Sequence, residues 1–447
     1  MKISHLFTAA LFTSVSLLLA PTGAAQLTVS WINQYGSSGD DYGQGITVDT
    51  SGRILVAGST FGNLSGTSAG SGDVFLSRLT AAGSIDFTHQ VGGTNLDRGV
   101  GLALVGSSTF VGGYTSSDPF DGQTTLGSTD GFIQRYDANG ARQGTTRIGG
   151  SNLDNVLAVA GNATHLLAAG FAFSSFDGQT PNAGSRDAFL SKRDSTGAVV
   201  WTRFAGTSAT ENGNAASFDT AGNSFLAGNT NGGFSGFTNQ GGDDLFVTRY
   251  DSTGNQTLLQ QIGGTGNEFA YDMQVDVSGN IYLAGDTTGN LGGQSNAGNS
   301  DAFLMKLDSA GNVLWTRLFG GTGNDFGSAL SLDAAGRIWI AGGSASILPG
   351  RTTTTAGGFD AYVAQYDSAG NLLGTAWLGT SGAEFVSGLE ISADGAGYVT
   401  GYTTGTLEGA SAGNADIFVA QVVPEPSTVL LLASAGLGLL VRRRRVS

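Results

Sequence analysis

The chain has 447 residues with a formal net charge of −15, and it contains 74 Gly, 6 Pro and no Cys. Only 12% of the residues are charged and 40% are hydrophobic, which excludes a coiled coil, collagen, a disulfide scaffold, a thiolate metal site and a cysteine nucleophile. So acidic a chain is also not expected to bind nucleic acid, because that affinity comes from Lys and Arg on phosphates.

The first segment, residues 1–25, has the pattern of a secretory signal peptide. Lys2 precedes an apolar run over residues 6–20, and Pro21 ends that run. Small residues then lead up to Ala25, so cleavage is predicted between Ala25 and Gln26. The segment predicts an exported protein.

A motif Gly-x-[Ser/Thr]-x-x-[Asp/Glu], called the acid motif below, recurs seven times at intervals of 56 to 59 residues. Its glycines are Gly36, Gly92, Gly149, Gly206, Gly263, Gly320 and Gly379. Its acids are Asp41, Asp97, Asp154, Glu211, Glu268, Asp325 and Glu384. Internal repeats of this period are typical of propellers and solenoids.

A second motif, Asp-x-aromatic, has the same period. Its aspartates are Asp73, Asp130, Asp187, Asp244, Asp301, Asp360 and Asp416. Each period also holds four strand-like runs, and most of their hairpins carry Asp-x-x-Gly, a turn sequence in which Gly takes a positive φ. The first hairpins of the second and third periods, at residues 104–107 and 161–164, lack it.

Seven such units predict an all-β fold, a seven-bladed β-propeller of four-stranded antiparallel blades. The body begins with a fourth-strand sequence at residues 27–35 and ends with a third-strand sequence at residues 416–422. We therefore expect the N-terminal strand to complete the last blade and close the ring, which removes two exposed sheet edges. An open solenoid would have no use for this offset.

The repeats resemble the SBBP family of β-propeller repeats. The likeness is carried by segments such as residues 301–307, Asp-Ala-Phe-Leu-Met-Lys-Leu, followed by Gly311 and Asn312. It covers about residues 27–422, which places the propeller domain at residues 26–422. The resemblance implies a fold and a secreted setting rather than a reaction.

The repeated acids allow two interpretations. A Ser or Thr followed by an acid three residues later typically satisfies backbone N–H groups at a turn, and repetition in every blade favours this structural role. The alternative is calcium, since residues 320–325 match Gly-Gly-x-Gly-x-Asp. The weak Ca²⁺ candidates are the seven acids of the acid motif, and no other metal or cofactor is expected.

The long loops between second and third strands each carry a Leu or Phe two residues before Gly. Phe120, Phe176 and Phe234 lie in successive blades. The favoured interpretation is a hydrophobic plug that holds each loop on its blade. The alternative is a ligand face on which a sugar stacks against these three rings.

Catalytic machinery is not evident, and no catalytic residue is predicted. After signal cleavage only His89 and His165 remain as histidines. There is no Gly-x-Ser-x-Gly elbow and no His-rich metal cluster. Carboxylates occur equally in every blade, so nothing in the pattern marks a pair as acid and nucleophile.

The C-terminal segment, residues 423–447, combines three features. Pro424, Glu425 and Pro426 are followed by an apolar run at residues 429–441 and then by Arg442, Arg443, Arg444 and Arg445. The run is shorter than the ~20 residues of a usual transmembrane helix, but the arginines can anchor it at the cytoplasmic side. The segment resembles the PEP-CTERM sorting signal.

That resemblance implies a transient membrane anchor, processing by an exosortase-type protease and a location in the cell envelope, with frequent association with extracellular polysaccharide. We therefore expect a secreted or surface-associated, non-enzymatic binding or structural module of the envelope or polysaccharide matrix, with a polysaccharide or surface protein as partner. The alternatives are a polysaccharide-acting lyase or glycosidase and a calcium-stabilised adhesin.

Overall fold

The computed structural model describes residues 27–181, 184–346 and 357–425. All the regular secondary structure within these ranges is β-strand. The chain begins with β1 (Leu27–Tyr35). Blades 1 to 3 then contain β2 (Asp41–Val48), β3 (Ile54–Thr60), β4 (Asp73–Leu79), β5 (Ile85–Val91), β6 (Asp97–Val105), β7 (Ser108–Thr115), β8 (Asp130–Tyr136), β9 (Arg142–Ile148), β10 (Asp154–Gly161), β11 (His165–Ala172), β12 (Asp187–Asp194) and β13 (Val199–Ala205).

Blades 4 to 7 continue the same order. They contain β14 (Glu211–Phe218), β15 (Ser224–Thr230), β16 (Asp244–Tyr250), β17 (Gln256–Ile262), β18 (Glu268–Val275), β19 (Ile281–Thr287), β20 (Asp301–Leu307), β21 (Val313–Phe319), β22 (Asp325–Leu332), β23 (Ile338–Ser344), β24 (Asp360–Tyr366), β25 (Leu372–Leu378), β26 (Glu384–Ile391), β27 (Gly397–Thr403) and β28 (Asp416–Pro424). Each sheet has four antiparallel strands, so the predicted seven-bladed propeller is confirmed.

The seventh blade is assembled from both ends of the chain. Its strand order is β26, β27, β28 and β1, and β1 pairs antiparallel with β28. The expected closure by the N-terminal strand is therefore confirmed. The strand β28 runs to Pro424, two residues beyond the expected end, because Leu27 and Pro424 are still register partners. A proline is tolerated at this outermost ladder position since no further N–H is needed there.

The core lies between blades rather than within one central layer. Seven clusters of buried apolar residues each combine side chains from two neighbouring blades. One of them joins Ile417 and Val419 of blade 7 to Val56 and Phe75 of blade 1. Because this junction is packed like the other six, the ring is sealed by hydrophobic burial as well as by the β1–β28 ladder.

The hairpins confirm the turn chemistry that the sequence predicts. In all nine Asp-x-x-Gly turns the Gly N–H donates to the Asp carbonyl, and the glycine φ lies between 75° and 92°. In blade 2 the first hairpin is a shorter turn through Gly106 and Ser107, and in blade 3 the side chain of Asn162 caps the turn instead.

Antiparallel order fixes two faces of the ring. The hairpins between first and second strands and between third and fourth strands lie on one face, called the hairpin face. The loops between second and third strands and between successive blades lie on the other, called the loop face. Both the start of β1 and the end of β28 lie on the hairpin face, because fourth and third strands respectively start and end there.

Several predictions concern residues outside the described ranges. They include the signal peptide with Ala25 and Gln26, residues 426–447 with Pro426 and the four arginines, and the loop element at residues 348–350. Within the described ranges, no segment is a helix of the length and apolar character that crossing a bilayer requires.

Candidate functional site

The acids of the acid motif lie at the first residue of each innermost strand, and all seven are fully buried. Each accepts a hydrogen bond from the backbone N–H four residues earlier, at 2.6 to 2.8 Å in six blades and with a shorter contact from Ser37 to Asp41 in blade 1. The favoured structural interpretation of these acids is what the geometry supports, because their oxygens are used at the turn.

The hydroxyl that supports the acid is not the one in the motif. In five blades it comes from the end of the second strand, as Thr115, Thr230, Thr287, Ser344 and Thr403. In blade 4, for example, the Thr230 hydroxyl donates to Glu211 at 2.7 Å. The acid therefore ties its turn to the end of the second strand of the same blade.

The aspartates of the second motif explain why the first motif needs glycine. A Cβ placed on Gly92 would lie 1.8 Å from Oδ1 of Asp73, and one on Gly263 would lie 2.0 Å from Oδ1 of Asp244. The same clash recurs at Gly320 with Asp301 and at Gly379 with Asp360. The two repeated motifs therefore form one structural joint, in which the backbone passes directly against a buried carboxylate.

Burial sets the electrostatics of this joint. It raises the pKa of Asp41, and the nearby charge of Asp416 raises it further, although the hydrogen bonds from Ser37 and Thr60 oppose the shift. Burial likewise raises the pKa of Asp325, against hydrogen bonds from Ser344 and Gly321. The two carboxylate sets do approach each other, as pairs formed between one blade and the next.

No group of three or more His, Cys, Asp or Glu side chains able to hold a metal ion occurs among residues 27–181, 184–346 and 357–425. The oxygens of Asp325, the acid of the Gly-Gly-x-Gly-x-Asp match, receive the Gly321 N–H at 2.8 Å and the Ser346 hydroxyl at 3.0 Å. Calcium binding at the seven acids stays a prediction. It can be tested by removing metal ions from the protein.

The phenylalanines of the long loops do not form a ligand face. Phe120 is 0%, Phe176 7% and Phe234 6% exposed. Phe120 packs on Phe132 at 4.9 Å between ring centroids, and Phe176 packs on Phe189 at 5.1 Å. Their rings are used in the core, so the alternative of sugar stacking on these three residues is wrong and the geometry fits the hydrophobic plug.

A central channel runs through the ring and is lined by the innermost strands of all seven blades. It holds a cavity of about 410 Å³. Most of its lining residues are small or apolar, and its two acids are Asp272 of β18 and Glu390 of β26. Sequence reasoning did not identify either one.

The two channel acids differ in their surroundings. Asp272 accepts hydrogen bonds from the backbone N–H groups of Leu330 and Met273, both at 2.7 Å. Burial nevertheless raises the pKa of Asp272 to about 7. Burial raises the pKa of Glu390 to about 8, and the charge of Asp272 contributes to that shift. Both carboxyls therefore retain protons at a pH where ordinary carboxylates are ionised.

A signal for these acids was present in the repeats. Asp272 lies four residues after the acid of its motif, and at that position the other six blades have Gly or Ala: Gly45, Gly101, Ala158, Ala215, Ala329 and Gly388. Glu390 lies six residues after its motif acid, where the other blades have Thr47, Ala103, Ala160, Ser217, Gln274 and Ser331. A search for departures from the repeat would have found both.

The comparisons with known proteins agree with the motifs. A family model described as "Beta-propeller repeat" (SBBP) matches residues 30–65 and 259–292. A model described as "PEP-CTERM protein-sorting motif" matches residues 422–445. The chain thus carries SBBP β-propeller repeats and a C-terminal PEP-CTERM motif, and both resemblances are confirmed. That motif implies export, envelope association and processing by an exosortase-type system.

Among curated proteins, the regulatory protein FlaEY of Caulobacter vibrioides is 27% identical over 166 residues, which is 34% of this chain and 17% of that protein. The match therefore spans only a small part of the relative. Among solved structures, the WD40 β-propeller domain of Doa1 aligns with 90% of this chain and 98% of that one at a TM-score of 0.50 and 13% identity. The polysaccharide lyase Uly1 aligns with 88% and 92% at a TM-score of 0.44 and 12% identity. At 13% identity, the Doa1 alignment shows the propeller fold alone.

Proposed function

We propose that this protein is a non-enzymatic binding or structural module of the bacterial envelope or extracellular polysaccharide matrix, placed there after exosortase-type processing. The observation that supports the proposal is the position of the sorting motif. Its first proline, Pro424, is the last residue of β28, the strand that pairs with the ring-closing strand β1, and Glu425 accepts a hydrogen bond from Thr28 at 3.0 Å. The sorting signal is therefore directly attached to the closed propeller, which is the part of the protein that it directs to the envelope.

The repeated chemistry of the loop face fits such a module better than an enzyme. Fourteen buried carboxylates, two per blade, lie near this face. The carboxylates of the acid motif accept hydrogen bonds from backbone N–H groups. The carboxylates of the Asp-x-aromatic motif lie directly against the glycines of the acid motif. A carboxylate that is needed to hold a turn is not available to act as a general acid or nucleophile.

The test is a pull-down with the closed propeller, residues 27–425, from the envelope of the producing cell. The proposal expects stable capture of a polysaccharide or a surface protein, with the length of any captured glycan unchanged over time. Failure to retain any envelope component, in preparations with an intact propeller fold, would contradict it. A calcium-stabilised adhesin is tested in the same preparation, because that alternative requires excess EDTA to lower the melting temperature.

A second candidate function is supported by the channel. Asp272 of blade 5 and Glu390 of blade 7 are two unlike carboxyls with raised pKa values that line the same channel, and such asymmetry is what a lyase or glycosidase needs. This candidate predicts that captured glycan shortens with time and that Glu390→Gln stops the shortening. Unchanged glycan length with the wild-type protein would remove it.

A further inference from the structure

Six aromatic side chains form a continuous row on the loop face, called the aromatic row. From blade 6 through blade 7 to blade 1 they are Phe326, Phe359, Phe385, Tyr402, Tyr42 and Phe61. Successive ring centroids lie 5.8, 4.5, 5.2, 4.9 and 6.0 Å apart. All six are half-buried, so the row keeps exposed ring surface while the core packing of the blades lies beneath it.

The propeller fold does not require these rings. Three of them, Tyr42, Phe326 and Phe385, directly follow the acid of the acid motif, and the other blades have Arg98, Asn155, Asn212 and Phe269 at that position. The acid is present in every blade, whereas the next residue varies from aromatic to amide to cation. The rings at this position are thus not required by the fold, and those that join the row lie in neighbouring blades.

The backbone makes room for the row. Gly343, at the end of β23, is the blade 6 counterpart of Tyr402, and a Cβ there would lie 2.7 Å from the ring of Phe385. The glycine therefore allows Phe385 to approach from the next blade. Contacts between Phe359 and Phe385 and between Tyr402 and Tyr42 carry the row across two blade boundaries.

A cation continues the row into blade 2. The guanidinium carbon of Arg98 lies 5.4 Å from the centroid of the Phe61 ring. Its Nε is buried and has no hydrogen-bond partner in the described part of the chain, and none of the ion pairs found there includes Arg98. Asp40, two residues before Tyr42, accepts a hydrogen bond from the Tyr42 hydroxyl at 3.4 Å. A partly desolvated cation without a charge partner favours an anionic ligand.

We propose that the aromatic row and Arg98 together bind an anionic polysaccharide, a chain of pyranose units that carry carboxylates. This inference rests on the proposed function and names its ligand class. The apolar faces of the sugar rings would pack on the exposed aromatic surface, and a sugar carboxylate would pair with Arg98. At Arg98, charge complementarity favours a carboxylate over a neutral sugar group, because Arg98 would stay unpaired against a neutral glycan.

The experiment measures binding of the closed propeller to polygalacturonate, with dextran as the neutral polymer, by affinity electrophoresis and calorimetry. We expect Arg98→Gln to weaken polygalacturonate binding by about tenfold or more, the usual effect of losing a charge-assisted hydrogen bond. We expect Tyr402→Leu, which keeps an apolar side chain but removes the ring, to weaken it several-fold. Melting curves and circular dichroism establish that both variants are folded.

The matched control is Arg249→Gln. Arg249 also lies over a phenylalanine, with its guanidinium carbon 6.0 Å from the Phe225 centroid, but it is at the hairpin end of β16. Binding should be unchanged in this variant. Equal binding of dextran and polygalacturonate, or a folded Arg98→Gln that binds like wild type, would overturn the inference. If neither polymer binds while the envelope pull-down still captures a component, this inference fails and the proposed function stands.

Discussion

The loop face contains buried carboxylates and the central channel contains half-buried ones, and the two regions use them in opposite ways. On the loop face the acid recurs in all seven blades and is hydrogen-bonded to the same backbone position in each. In the channel, Asp272 and Glu390 occur once each, at positions where other blades have small or uncharged residues. In a repeat protein, recurrence indicates what the fold needs, and departures from it indicate where individual chemistry is placed.

The largest effect that tests the structural role of the loop-face carboxylates is expected at the glycine of the acid motif. In Gly92→Ala the new Cβ would fall 1.8 Å from the Asp73 carboxylate, which is itself buried and cannot move into solvent. We expect a loss of about 3 kcal/mol in the free energy of unfolding, measured by urea denaturation, as for a strongly overpacked core site.

Gly358 provides the control for this substitution. A Cβ there would meet nothing within 4 Å, and Gly358 does not have a positive φ. Gly358→Ala should change the free energy of unfolding by less than about 0.5 kcal/mol. If both variants lose the same stability, the joint between the two repeated motifs is not the reason for the glycine.

A smaller loss is expected from a repeated acid. In Glu211→Gln one carboxylate oxygen that accepts from the Thr207 N–H at 2.8 Å or from the Thr230 hydroxyl at 2.7 Å is replaced by an amide that can only donate. This leaves a buried donor unpaired, so we expect about 2 kcal/mol less stability in the same urea assay. The exposed Glu408→Gln is the control, and an equal effect of the two would contradict a structural role of the repeated acids.

Much of the fold could be predicted because each blade repeats the same local rules. The Asp-x-x-Gly turns set the hairpins, and the offset between residues 27–35 and 416–422 predicted how the ring closes. The ligand-related features were harder to predict. Phe120 was placed correctly in its loop, but whether its ring faces solvent depends on packing against blade 1, which sequence spacing does not encode.

The aromatic row was missed for a related reason. Three members, Tyr42, Phe326 and Phe385, share a position in the repeat, but the other three come from different strands and loops of blades 6, 7 and 1. Tyr402 and Tyr42 are far apart in sequence and meet only because the last blade closes on the first. Sets of residues that contact each other across a ring closure can be recognised only once the order and facing of the blades are known.

The smallest predicted effect concerns pH and separates the channel from the loop face. Glu390 has its pKa raised from 4.5 to about 8, and Asp272 has its pKa raised from 3.8 to about 7. A carboxyl that holds its proton more tightly in the folded state contributes stability below its unfolded pKa, and this contribution is lost as the pH rises toward the folded value. The channel should therefore destabilise the protein progressively between about pH 4 and pH 8.

The substitution Glu390→Gln removes one titrating carboxyl but keeps the shape of the side chain. The melting temperature of this variant should therefore fall less than that of wild type between pH 5 and pH 9. We expect a difference of about 1 °C, the shift that a change of about 1 kcal/mol produces in a chain of this size. Buried loop-face acids with raised pKa values, such as Asp41 and Asp325, remain in both proteins, so only the gap between the two curves reports on the channel. Because Glu408→Gln changes an exposed carboxylate, its plot of melting temperature against pH should run parallel to that of wild type. If the plot for Glu390→Gln is parallel to wild type as well, the channel acids titrate like surface groups.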